Sequence, residues 1–179
     1  MNRMDPDQEL LRLISNGDQT AMKAIYDRYA DSICGFAKGW LSDPFEAADV
    51  MQETLMDVWR SADRFDGKSS AKTWIYSIAR NKAIDRNRKG KKTISREPDV
   101  EISDDAPDPE AIIEAFQDGA RVRACIEKLS PNHRSVIHLA FFEDLTYPEV
   151  AKLEGTPVGT IKTRIMHAKK LLMRCLQSS

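Results

Sequence analysis

Leu145-Thr146-Tyr147-Pro148-Glu149-Val150-Ala151-Lys152-Leu153-Glu154-Gly155-Thr156-Pro157-Val158-Gly159-Thr160-Ile161-Lys162-Thr163-Arg164-Ile165-Met166-His167-Ala168-Lys169-Lys170 reads as a short helix, a tight turn and a longer basic helix. Thr146 is placed to cap the first helix, with Glu149 three residues on to complete a capping box. Pro148 falls in the first turn, where its missing N–H costs little. Gly155 stands where a helix stops in a left-handed conformation. Thr156 is expected to cap the second helix, with Pro157 at its first position. Ile161, Ile165, Ala168 and Leu172 recur at spacings of four, three and four and form one apolar face. Thr163, His167, Lys170 and Arg174 form a stripe on another. From Thr156 to Ser179 the cations are Lys162, Arg164, Lys169, Lys170 and Arg174, and no acid accompanies them. A capped helix–turn–helix whose second helix is cationic is the layout that enters a DNA major groove.

The remaining composition bounds the class. The chain has 179 residues, 41% hydrophobic, 31% charged and 7% aromatic. Leu, Ala, Ile, Met, Lys, Arg and Glu recur, so we expect an all-α protein. No apolar run reaches membrane-spanning length, and the N-terminus Met1-Asn2-Arg3-Met4-Asp5-Pro6-Asp7 lacks a signal-peptide core. A cytoplasmic protein without membrane insertion is expected. Cys34, Cys125 and Cys175 are odd in number and far apart, and we expect buried, reduced thiols. His133, His138 and His167 lack zinc-site spacing, so neither a metal nor a cofactor is expected. His138 lies in an apolar run and reads as a packed residue.

The net charge of −1 hides strong segregation. Arg80, Lys82, Arg86, Arg88, Lys89, Lys91 and Lys92 face only Asp85 in the same stretch. Glu97, Asp99, Glu101, Asp104, Asp105, Asp108, Glu110, Glu114 and Asp118 follow with no cation between them. Such blocks suggest a nucleic-acid partner and a separate role for the acids. Residues 91–110, with Pro98, Pro107 and Pro109, are predicted to be a flexible acidic linker between small helical domains at 1–90 and 111–179.

Four helices are predicted in the first block, over about 7–16, 20–41, 46–62 and 71–89. The second carries Ala24, Tyr29 and Phe36 among its apolar positions. The third turns Ala48, Met51, Leu55 and Val58 inward and Asp49, Gln52, Glu53, Met56 and Arg60 outward. The fourth packs Trp74, Ile75, Ile78 and Ala79 and exposes Arg80, Asn81, Asp85, Arg86 and Arg88. Between the last two lies Arg64-Phe65-Asp66-Gly67-Lys68-Ser69-Ser70. An aromatic and two cations around a glycine turn suit single-stranded nucleic acid, which stacks on rings while cations hold its backbone.

Taken in order, Ala48 to Trp59, Arg64-Phe65-Asp66 and Thr73 to Asp85 resemble region 2 of bacterial extracytoplasmic-function sigma factors. Leu129 to Ile137 and Leu145 to Lys170 resemble their region 4. The resemblance covers both blocks, with an unlike linker between them. It implies a transcription initiation subunit rather than an enzyme. Its partners would be the β′ and β subunits of RNA polymerase core, promoter DNA and an anti-sigma factor, with the free chain monomeric. On this resemblance Asp49, Gln52, Glu53 and Met56 dock on polymerase. Arg64, Phe65, Lys68, Arg80, Asn81, Asp85 and Arg86 engage the minus-ten element. Thr160, Lys162, Thr163, Arg164, His167 and Lys170 engage the minus-thirty-five element. The chain departs from the family at His167, where arginine is frequent, and at Pro148, where a polar residue is usual. A ligand-sensing DNA-binding regulator would need neither the Asp49-Gln52-Glu53 face nor the basic patch, and no nucleophile set suggests a recombinase.

Overall fold

The computed structural model describes residues 5–90 and 119–178. All regular elements among them are helices. The chain divides into two compact units, Met1–Thr93 and Ile94–Ser179. The predicted acidic linker lies outside the described residues.

The first unit holds α1 (Pro6–Ser15), α2 (Gln19–Lys38), α3 (Pro44–Ser61), a short 3₁₀ turn (Ala62–Arg64) and α4 (Ala71–Gly90). Acidic caps set the starts of the first three. Asp5 accepts from the Asp7 N–H at 3.0 Å, Asp18 from Thr20 at 2.8 Å and Asp43 from Phe45 at 2.8 Å. Asp43 therefore starts α3 at Pro44, two residues before the predicted boundary. Asp5 also accepts from the Ala71 N–H at 3.1 Å, tying the start of α1 to the start of α4. Leu11, Ile25, Tyr29, Ile33, Phe36, Val50, Val58, Ile75, Tyr76 and Ala79 fill the core. Phe36 meets Tyr76 edge to face, ring centroids 5.5 Å apart, and the Tyr76 hydroxyl donates to Ser32 at 2.9 Å. Tyr29 and Arg28 both bind the buried carboxylate of Asp7.

The inward line of α3 corrects the sequence reading. Ala47, Val50, Thr54, Leu55 and Val58 are buried, whereas Ala48 and Met51 are only half-buried. Thr54 can face inward because its hydroxyl donates to the Val50 carbonyl at 2.7 Å within the helix. The polar label on Thr54 concealed the register.

The second unit holds α5 (Gly119–Glu127), α6 (Pro131–Ile137), a π-helical segment (His138–Phe142), α7 (Tyr147–Glu154) and α8 (Val158–Gln177). Ile161, Ile165, Ala168 and Leu172 are all buried, as their spacing predicts. His138 is partly buried, 3.3 Å from the Glu143 carboxylate and stacked on Phe142. The helix pair has the predicted cap and stop. Glu149 accepts from the Thr146 N–H at 2.8 Å and from its hydroxyl at 2.7 Å, and Gly155 has φ 62°.

Two expectations fail in this unit. Thr156 does not cap α8, which begins at Val158, and its buried hydroxyl has no hydrogen-bond partner. Pro157 adopts the extended cap conformation in its place. Cys125 and Cys175 are not reduced thiols but a disulfide joining α5 to the far end of α8, with Cα atoms 5.8 Å apart. Spacing along the chain misled here, because packing of two helices decides which sulfurs meet. Cys34 is free and half-buried.

Candidate nucleic-acid and polymerase interfaces

On α3, Phe45, Asp49, Gln52, Met56 and Trp59 follow one another at spacings of four, three, four and three, and all five are exposed. Phe45 is 81% exposed, Met56 50% and Trp59 39%. Apolar side chains left in water along a helical seam are the form of a surface built for another helix. Asp49, Gln52 and Met56 thus stand where the sequence placed them. Phe45 and Trp59 were missed, although the same three–four spacing continues through both of them.

Glu53 turns toward α4. The Arg86 guanidinium binds Glu53 and lies 3.2 Å from Asp49, while Lys82 Nζ is 2.7 Å from Asp57 and 3.8 Å from Glu53. Burial alone would lower the Arg86 pKa, but the hydrogen bonds to Asp49 and Glu53 more than offset it, and the group stays protonated more firmly than usual. The structure therefore joins residues that sequence reading divided between two faces. Arg86 is half-buried in a ladder with Asp49 and Glu53 rather than exposed beside them.

Along the rest of α4, Asn81 and Asp85 are exposed as expected. Arg80 is not: it is half-buried, with its guanidinium 5.9 Å from the ring centre of the buried Trp40. In the loop, Arg64 is exposed and Phe65 lies half-buried against Trp74, centroids 5.6 Å apart. Lys68 Nζ sits 2.7 Å from Asp66 and holds that carboxyl below its ordinary pKa. Gly67 has φ 71°, which this turn requires and most side chains resist. Ser70 caps α4, accepting from the Thr73 N–H at 3.1 Å.

On α8, Val158, Gly159, Thr160, Lys162, Thr163 and Met166 are exposed, and His167 is half-buried. Thr163 spends its hydroxyl proton on the Gly159 carbonyl at 3.1 Å. Lys170 is buried, which overturns its assignment as an exposed DNA contact, although it stands on the side of the helix opposite the Ile161–Ile165–Ala168–Leu172 face. Arg164 turns back on α7, its Nη1 3.7 Å from the Glu154 carboxylate. Lys169 lies over the Phe141 ring, 4.7 Å from its centre. Val158 and Met166 were missed as surface residues, since a bare hydropathy pattern assigns them to a core.

Comparison with known proteins decides the family. Sigma-70 region 2 matches residues 25–93 and Sigma-70 region 4 matches residues 119–172. The ECF RNA polymerase sigma factor RpoE of Cereibacter sphaeroides is 36% identical over 162 residues, covering 87% of each chain. The chain belongs to the ECF sigma factors. The sigma factor SigK of Mycobacterium ulcerans is 32% identical over 183 residues, covering 99% of this chain and 97% of that one. Among solved structures, CnrH in complex with the cytosolic domain of CnrY aligns with a TM-score of 0.70 at 25% identity, over 98% of this chain and 99% of that one. RpoE of Bartonella quintana, co-crystallised with the anti-sigma factor NepR, shares the fold with a TM-score of 0.66 at 23% identity. It covers 87% of this chain and 96% of that one.

As a sigma factor the chain is not an enzyme; it binds core RNA polymerase and directs transcription initiation at promoters. No helix among the described residues is long and apolar enough to cross a membrane.

Proposed function

We propose that the two units divide promoter recognition as region 2 and region 4, with domains at 1–90 and 111–179 and the acidic 91–110 segment as their tether. The exposed stripe Phe45, Asp49, Gln52, Met56, Trp59 docks on a helical element of the β′ subunit. Its alternation of apolar ends and a polar centre is the single observation that carries this reading. Arg64, Phe65 and Lys68 of the loop, with Asn81 and Asp85 of α4, take the melted minus-ten strand, where bases stack and cations hold phosphates. Thr160, Lys162, Thr163 and His167 of α8 face the minus-thirty-five major groove. An imidazole at position 167 makes a weaker guanine or phosphate contact than the forked guanidinium frequent in the family.

The chain works in the cytoplasm, where the polymerase is, serves a stress-responsive regulon and is held off by an anti-sigma factor. The complex of RpoE with the anti-sigma factor NepR supports that last point. Core-binding measurements test the docking stripe. Asp49→Ala with Gln52→Ala is expected to weaken core association about tenfold or more, with the chain still folded. Assembly at wild-type affinity overturns the docking assignment.

A further inference from the structure

Glu154 is the last residue of α7, directly before the left-handed Gly155. Its side chain is 1% exposed. Ser135 of α6, itself buried, donates its hydroxyl to Glu154 Oε1 at 2.6 Å. Arg164 of α8 brings Nη1 within 3.7 Å of Oε2. Three helices of this unit thus meet on one carboxylate. Helical patterning does not call for an acid there. Val150, Ala151 and Leu153 beside it on α7 are buried and apolar, and a leucine would satisfy the same face.

A buried ion pair adds little net stability, because desolvation consumes most of its attraction. Its distinctive property is geometric. Apolar surfaces tolerate a helix rolling by a few degrees, whereas a buried carboxylate is satisfied only where its cation arrives. Arg164 arrives at one rotation of α8 about its own axis. That rotation also fixes where Lys162 and Thr163 point, since they share the helix within two residues.

We propose that Glu154 is a positioning residue for minus-thirty-five recognition. By pinning Arg164 it sets the rotation at which α8 presents Lys162 and Thr163 to the major groove. Arg164 then acts through the helix and not as a base reader. This rests on the reading of α8 as the minus-thirty-five helix.

The test is run-off transcription by core polymerase reconstituted with each full-length variant, on promoters randomised across the minus-thirty-five element. Glu154→Gln keeps an acceptor for Ser135 and removes the charge facing Arg164. It is expected to lower discrimination between the best element and its single-base variants about tenfold, with minus-ten preference unchanged. Glu154→Leu combined with Arg164→Met, which replaces both partners by apolar groups and leaves no uncompensated charge, is expected to do the same with the unit folded. Lower yield on every sequence with unchanged base preference is what a merely structural role produces, and it overturns the proposal. Adding Arg164→Gln to Glu154→Gln is expected to cost nothing further. Additive losses mean that Arg164 contacts DNA by itself, and they also overturn it. Lys162→Ala separates the two layers. If it leaves base preference intact, the reading of α8 fails and this proposal with it. If it shifts preference while both Glu154 variants do not, the positioning role alone fails.

Discussion

In the first unit Tyr29, Phe36 and Tyr76 are fully buried among four helices, and the helix-to-helix ion pairs of α3 and α4 sit half in water. In the second unit no aromatic among the described residues is buried. Its core is Leu, Ile, Val, Ala and Cys, crossed by a disulfide and pierced by a carboxylate. The cross-link removes part of the second unit's ordering entropy from its unfolded state. The first unit buries the Asp7 carboxylate against Tyr29 and Arg28, and the second buries that of Glu154 against Ser135 and Arg164.

All three tryptophans, Trp40, Trp59 and Trp74, belong to the first unit, so their fluorescence reports it alone while circular dichroism reports both. The largest effect is expected from Phe36→Ala, which empties an aromatic site in the first core. It should cost about 4 kcal/mol in fluorescence-monitored denaturation. A loss below about 1 kcal/mol would show that the edge-to-face pair with Tyr76 is dispensable and that the contrast between the cores is overdrawn. Next comes the cross-link. Reduction, or Cys175→Ser, is expected to destabilise the second unit by about 2 to 4 kcal/mol. The circular dichroism transition should then move while the tryptophan transition stays. Coincident shifts in both signals break the claim that the units are stabilised separately. The smallest effect belongs to Arg86→Ala. Its pairs with Asp49 and Glu53 are largely solvated, so about 1 kcal/mol or less should be lost from the fluorescence transition, and less still at high salt.

Much of the fold was legible because its signals are local. Local patterning placed α1, α2, α3 and α4, three–four spacing gave the inward face of α8, and Thr146, Glu149 and Gly155 marked the helix pair where it stands. Local signals erred where a side chain can serve two environments. Lys170 reads as a surface cation but is buried, since a lysine stem is mostly hydrocarbon. Thr54 reads as polar but is fully buried, since its hydroxyl is satisfied by its own helix. Thr156 reads as a cap, and Pro157 takes the position.

The sequence by itself determined the class of the protein, the ordered set of motifs, the outward Asp49-Gln52-Met56 line and the cationic α8. Each follows from residue type at helical spacing, which needs no knowledge of neighbours. Only the tertiary structure decided that Arg86 closes on Asp49 and Glu53, that Arg80 rests on Trp40, that Cys125 reaches Cys175 and that Arg164 turns to Glu154. Those are contacts between side chains 10 to 50 positions apart, or between different helices. They depend on the angle at which helices pack, a quantity that hydrophobic periodicity constrains on one face and leaves open on the others.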